Sequence, residues 1–113
     1  MVKVYGIPNC DIIKKTLDWY KKKNIRVNFF DYKTKGVPEE KLIQWCKKEG
    51  WELLLNKKST TWRNLPPEVQ VKVTNDKAAI QLMTTHASII KRPVIEINDK
   101  LIIGFNKTYF TNQ

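Results

Sequence analysis

Hydrophobic periodicity changes twice within the first thirty-one residues, and that opening constrains the fold more than any other feature. Val2-Lys3-Val4-Tyr5 alternates and stops at Gly6, the pattern of a short strand. Pro8-Asn9 breaks the chain. From Cys10 to Lys23 the apolar residues Ile13, Leu17 and Tyr20 fall at i, i+4 and i+7, one face of a helix. Asn9 suits the N-cap, Asp11 suits the positive end of the helix dipole, Asp18 and Lys22 are spaced to pair, and Asn24 is a stop. Residues 25–31 alternate again. A β-α-β opening calls for two parallel strands joined by a right-handed crossover.

The next stretch has no strand pattern. Lys33 to Gly36 reads as a loop, with Pro38 at the first position of a helix that Gly50 closes. Trp51–Leu55, Thr60–Asn64, Pro67–Lys72 and Asp76–Thr84 read as short helical pieces. Strand character returns after Pro93. Val94-Ile95-Glu96-Ile97 and Lys100-Leu101-Ile102-Ile103 flank Asn98-Asp99, a hairpin turn pair. A short helix is expected within 107–113. The order predicts an α/β domain: a four-stranded mixed sheet with helices on its faces. It spans 1–113, with core segments 1–36 and 91–113 around a helical insert, 37–90.

With 42% hydrophobic and 28% charged residues, the composition is that of a globular chain. No apolar run reaches the length of a membrane span and no signal-peptide core is present, so no membrane partner and a cytoplasmic location are expected. Two cysteines and one histidine argue against a structural metal site, and none is expected. Lys and Arg exceed Asp and Glu by 21 to 11, a net charge of +10 that favours anionic partners. The lysines are dispersed over different elements, however, and no basic stripe interleaved with aromatics is legible. No nucleic-acid partner is expected.

Cys10 is the strongest candidate for chemistry. It follows a strand and opens a helix, where unpaired N–H groups and the helix dipole favour a thiolate. Lys14, one turn on, adds positive potential. Cys46, mid-helix on an apolar face, reads as core, and Ile13 at the fourth position rules out a Cys-x-x-Cys pair. Arg92-Pro93 stands just before a strand, where a cis bond can be held. His86 has no partner placed beside it by the sequence and reads as a loop or helix-end residue.

Three segments carry a resemblance over residues 2–105: Val4-Tyr5-Gly6-Ile7-Pro8-Asn9-Cys10-Asp11, Gly50-Trp51 through Ser59-Thr60-Thr61-Trp62-Arg63, and Ile89-Ile90-Lys91-Arg92-Pro93-Val94. Together they resemble the glutaredoxin-dependent arsenate reductase family of ArsC, Spx and YffB-like proteins, the YffB-like branch above all. The resemblance implies a thioredoxin-like fold with an inserted helical subdomain, a reactive thiolate at Cys10 and a cis bond between Arg92 and Pro93. It also implies an oxidoreductase that uses glutathione as co-substrate, with glutathione or glutaredoxin as partner. Cys10 and Arg92 would be catalytic, and Asn9, Lys14, Arg63 and Pro93 would bind substrate or glutathione. The Spx side of the family implies an alternative, a regulatory protein docking on RNA polymerase. Arsenate reductases of the family carry a His near the position of Gly6 and arginines at positions that fall on Asn56 and near Ile103, and this chain lacks all three.

Overall fold

The computed structural model describes residues 1–105 and Phe110. Strand β1 (Val2–Gly6) leads into α1 (Asp11–Lys22) and β2 (Val27–Asp31). Then come α2 (Tyr32–Lys35), α3 (Glu39–Glu49), α4 (Trp51–Leu54), α5 (Thr60–Arg63), α6 (Pro67–Gln70) and α7 (Asp76–Thr85). A 3-10 turn at Ala87–Ile89 precedes β3 (Val94–Ile97) and β4 (Lys100–Ile103). The expected helix within 107–113 lies outside the described residues, apart from Phe110.

The chain forms two compact units. One holds Met1–Lys35 and the segment from Arg92 onward, and the other holds Gly36–Lys91. In the first, the sheet order is β2-β1-β3-β4. β1 and β2 are parallel, as the β-α-β pattern requires, with Val2 opposite Val27 and Gly6 opposite Asp31. β3 runs antiparallel to β1 and pairs with β4 as a hairpin, where Asn98 takes the positive φ its turn needs. α1 lays its apolar stripe on one face of the sheet. Ile13 and Tyr20 are buried with Val2, Val4, Ile95 and Phe110. Thr16 lies on the same buried side and satisfies its hydroxyl by donating to the Ile12 carbonyl at 2.7 Å.

The second unit is helical. Leu42, Trp45, Cys46, Leu54, Trp62, Ala79 and Met83 are buried in it. Its one β-like feature among the described residues is a bridge between Leu55 and Ile90. Around the bridge, Asn56 N–H donates to the Ile89 carbonyl and Lys91 N–H to that of Leu54.

Three local expectations need correction. Asn9 is not the N-cap of α1. It takes the left-handed conformation with φ 59°, and Cys10, with φ −117° and ψ 128°, is the cap. An N-cap needs extended dihedrals, and asparagine tolerates the left-handed region well enough to make the turn instead. Pro38 likewise caps α3 from outside rather than opening it. Residues expected as a loop after β2 form α2, because the Asp31 carboxylate accepts from the Lys33 N–H at 2.8 Å and starts the turn.

Candidate functional site

Strand register decides what meets Cys10. Tyr5 pairs with Val94, so the C-terminal end of β1 lies beside the N-terminal end of β3. The same end of the sheet therefore gathers Gly6, Asp31 at the end of β2, Pro93 just before β3 and Gly104 just after β4. Cys10 and the first turn of α1 follow directly from Gly6.

Cys10 is half-buried against the α1 side of the core and is a free thiol. Its side chain makes no capping hydrogen bond, while its carbonyl accepts from the Lys14 N–H at 3.0 Å and closes the first turn. Asp11 and Lys14 in that turn are exposed, as is Asn9 before it. The Arg92-Pro93 bond is cis, as the resemblance implies. Pro93 is buried, and its carbonyl accepts from the Gly104 N–H at 2.8 Å, which ties the entry of β3 to the exit of β4. The first unit thus places Asn9, Cys10, Lys14, Arg92 and Pro93 at one end of the sheet.

Arg63 belongs to the second unit. It is exposed at the end of α5, whose start is capped by the Ser59 hydroxyl accepting from the Trp62 N–H at 3.2 Å. Upstream, the Asn56 side-chain carbonyl accepts from the Lys58 N–H, and the Lys57 ammonium stands 5.7 Å from the centre of the Trp62 ring. The Thr61 and Ser88 hydroxyls lie 2.6 Å apart, linking α5 to the turn before β3.

The other thiol is different in kind. Cys46 is buried in α3, and burial, reinforced by the charges of Asp76 and Glu52, pushes it up to about 11. His86 is the C-cap of α7. Among the described residues no group of three His, Cys, Asp or Glu side chains could hold a metal ion, and no helix is long and apolar enough to cross a membrane.

One polar cluster was not legible in the sequence. The Tyr5 hydroxyl donates to the Glu96 carboxylate at 2.8 Å, and the buried Tyr32 hydroxyl has no hydrogen-bond partner among the described residues. Burial raises both phenols above their ordinary range; the hydrogen bond to Glu96 adds to the effect at Tyr5, and the charges of Tyr5 and Glu96 add to it at Tyr32.

Comparison with known proteins covers nearly all of this architecture. The ArsC family model matches residues 5–112. A Haemophilus influenzae protein described as uncharacterized is 44% identical over 95% of this chain and 93% of its own. The regulatory protein MgsR of Bacillus subtilis is 29% identical over 90% of this chain and 81% of its own. Among solved structures, the YffB protein superposes with a TM-score of 0.91 at 34% identity, covering 99% of this chain and 97% of that one. An arsenate reductase (ArsC) related protein from Brucella melitensis superposes with a TM-score of 0.79 at 40% identity, covering 98% and 92%.

Proposed function

The chain belongs to the ArsC family, with its thioredoxin-like fold and arsenate reductase-like architecture, and on that premise we propose that it is a glutathione-linked thiol reductase working through Cys10 alone. One observation carries the reading: Cys10, a free, half-buried thiol, occupies the N-cap position of α1 at the end of the sheet where β3 begins.

In the proposed cycle the Cys10 thiolate attacks one sulfur of a glutathione-containing disulfide. A Cys10–glutathione disulfide forms and the other thiol leaves as its thiolate. A second glutathione, or a glutaredoxin thiol, attacks the glutathione sulfur. Its own sulfur is oxidised into the new disulfide, and the Cys10 thiolate returns. No internal thiol resolves the intermediate in this scheme, since position 13 is Ile and Cys46 is buried with a raised pKa. Arg92 would hold a carboxylate of glutathione; a guanidinium does so in bidentate fashion. Asn9, Lys14 and Pro93 would line the approach.

Intact-mass measurement after incubation with oxidised glutathione tests this. Wild type should gain one glutathione, and Cys10→Ser should gain none. An unmodified wild-type protein would defeat the reading. The likeness to the regulatory protein MgsR supports a second reading, a regulatory protein, which the Spx side of the family resemblance would have dock on RNA polymerase without turnover. The two separate on Cys10→Ala, which a docking role tolerates and a reductase does not.

A further inference from the structure

We propose that Gly6 and Ile13 form a positioning pair for Cys10: the absent side chain at the end of β1 makes the seat into which Ile13 packs, and that seat sets where the first turn of α1 stands over the sheet. The inference rests on the reading of Cys10 as nucleophile and adds what places its sulfur.

Alternation along β1 puts Val2, Val4 and Gly6 on the α1 side, and the first two are buried in the same cluster as Ile13. A Cβ at Gly6 would overlap the Ile13 Cδ1 atom, stand 3.1 Å from Ile13 Cγ1, and lie 4.0 Å from Phe29 Cε1. The backbone gives no other reason for glycine here: Gly36, Gly50 and Gly104 have positive φ, and Gly6 does not. Space alone requires it.

Ile13 cannot simply turn aside. Its Cδ1 atom turns about χ2, but the side chain is 2% exposed within the packed cluster, so that turn displaces its neighbours, and Cγ1, 3.1 Å from the added methyl, is fixed by the single χ1 rotamer a β-branched residue keeps in a helix. A methyl group at position 6 must therefore lift the first turn. Cys10 moves with it, because the Lys14 N–H to Cys10 carbonyl bond makes residues 10–14 one turn. Disulfide exchange requires the attacking sulfur in line with the bond it breaks, and a misplacement of about 1 Å can cost roughly 100-fold in rate. A small alkylating agent approaches from many directions and lacks that requirement.

The test compares two rates at Cys10, followed by peptide mapping: reaction with oxidised glutathione and reaction with iodoacetamide. In Gly6→Ala the glutathione rate should fall about tenfold or more while the iodoacetamide rate stays within about twofold. Adding Ile13→Val, which removes the overlapping methyl, should return the glutathione rate to within about threefold of wild type. Equal falls in both rates, an unchanged glutathione rate, or no rescue by Ile13→Val would overturn the proposal. If Gly6→Ala does not fold, recovery of a folded, glutathione-reactive protein in the double variant supports the pair, and failure of the double variant refutes it. If wild type forms no glutathione adduct, the functional reading falls and the pair is judged on amide chemical shifts of Asn9–Ile12. Those should move in Gly6→Ala and return in the double variant; shifts that stay put refute it.

Discussion

The Tyr5 hydroxyl and the Glu96 carboxylate, 91 residues apart in sequence, meet at 2.8 Å across the β1–β3 pair. They are diagonal rather than direct neighbours, since Glu96 pairs with Lys3 and Tyr5 with Val94. Tyr5 is buried, so its hydroxyl must find its partner inside the fold. This bond therefore reports on the register that brings Pro93 to the end of β1.

Tyr5→Phe should destabilise the protein by about 1.5 kcal/mol, the low end for a hydrogen bond to a charged group. Urea denaturation measures it. No change in the midpoint would mean that water replaces the phenol without cost.

Phe110 stacks on Phe105 with ring centres 4.5 Å apart and meets Trp19 edge-on at 4.9 Å. It is 6% exposed. Phe110→Ala should cost about 3–5 kcal/mol, as for other buried aromatic truncations. Thermal unfolding checks this. A shift of only a degree or two would show that the ring adds little to the α1 core.

The first unit was largely legible in the sequence because its signals are local. Val2-Lys3-Val4-Tyr5 alternates, Ile13 and Tyr20 share a stripe, and Asn98 supplies the hairpin turn. What misled was a residue with two talents: asparagine favours both the N-cap and the left-handed turn, and only the path from Gly6 to α1 decides between them. Four-residue α2 is too short for any period to appear. The Tyr5–Glu96 bond depends on β1 pairing with β3, a contact no local pattern announces. At the site, Cys10 and Arg92-Pro93 stood out by position and resemblance, whereas the fit of Ile13 to Gly6 needed coordinates.

Cys46 should make stability fall at alkaline pH. Its thiol is raised from an ordinary 9.0 to about 11 by burial first and then by Asp76 and Glu52. The folded state therefore prefers the neutral form. Below pH 9 that contribution is fully present; as pH rises from 9 toward 11 the unfolded chain ionises first and the contribution is lost. Cys46→Ala should flatten this part of the profile relative to wild type, whatever it does to stability at pH 7. Parallel profiles would remove Cys46 as a cause.

Alkylation should separate the two thiols in the native protein. Iodoacetamide near pH 8 should label Cys10 and leave Cys46 unlabelled until denaturant is added, because Cys46 is both buried and held neutral. Peptide mapping reads the outcome. Equal labelling rates would overturn the assignment of Cys10 as the reactive thiol.

Arsenate should be a poor substrate. Reducing it requires a small, highly charged oxyanion to be clamped while Cys10 attacks, and such clamping supplies much of the rate. The chain has three arginines. Arg26 immediately precedes β2, whose first residue pairs with Val2, so it lies at the opposite end of the sheet from Cys10. Arg92 immediately precedes Pro93 at the entry of β3. The two positions where the resemblance expects further arginines hold other side chains. Ile103 pairs with Val94 at the Cys10 end of the sheet, and Asn56 spends its side-chain carbonyl on the Lys58 N–H. Losing one oriented donor typically costs about 2.7–4 kcal/mol, so two losses amount to several orders of magnitude in rate. Lys57 and Lys58 supply charge near Asn56 but no bidentate fork. A coupled assay with glutathione, glutaredoxin and arsenate should therefore show turnover far below that of a dedicated arsenate reductase run in parallel, beside ready formation of the Cys10–glutathione adduct. Comparable turnover would mean that Arg92 suffices to hold the oxyanion.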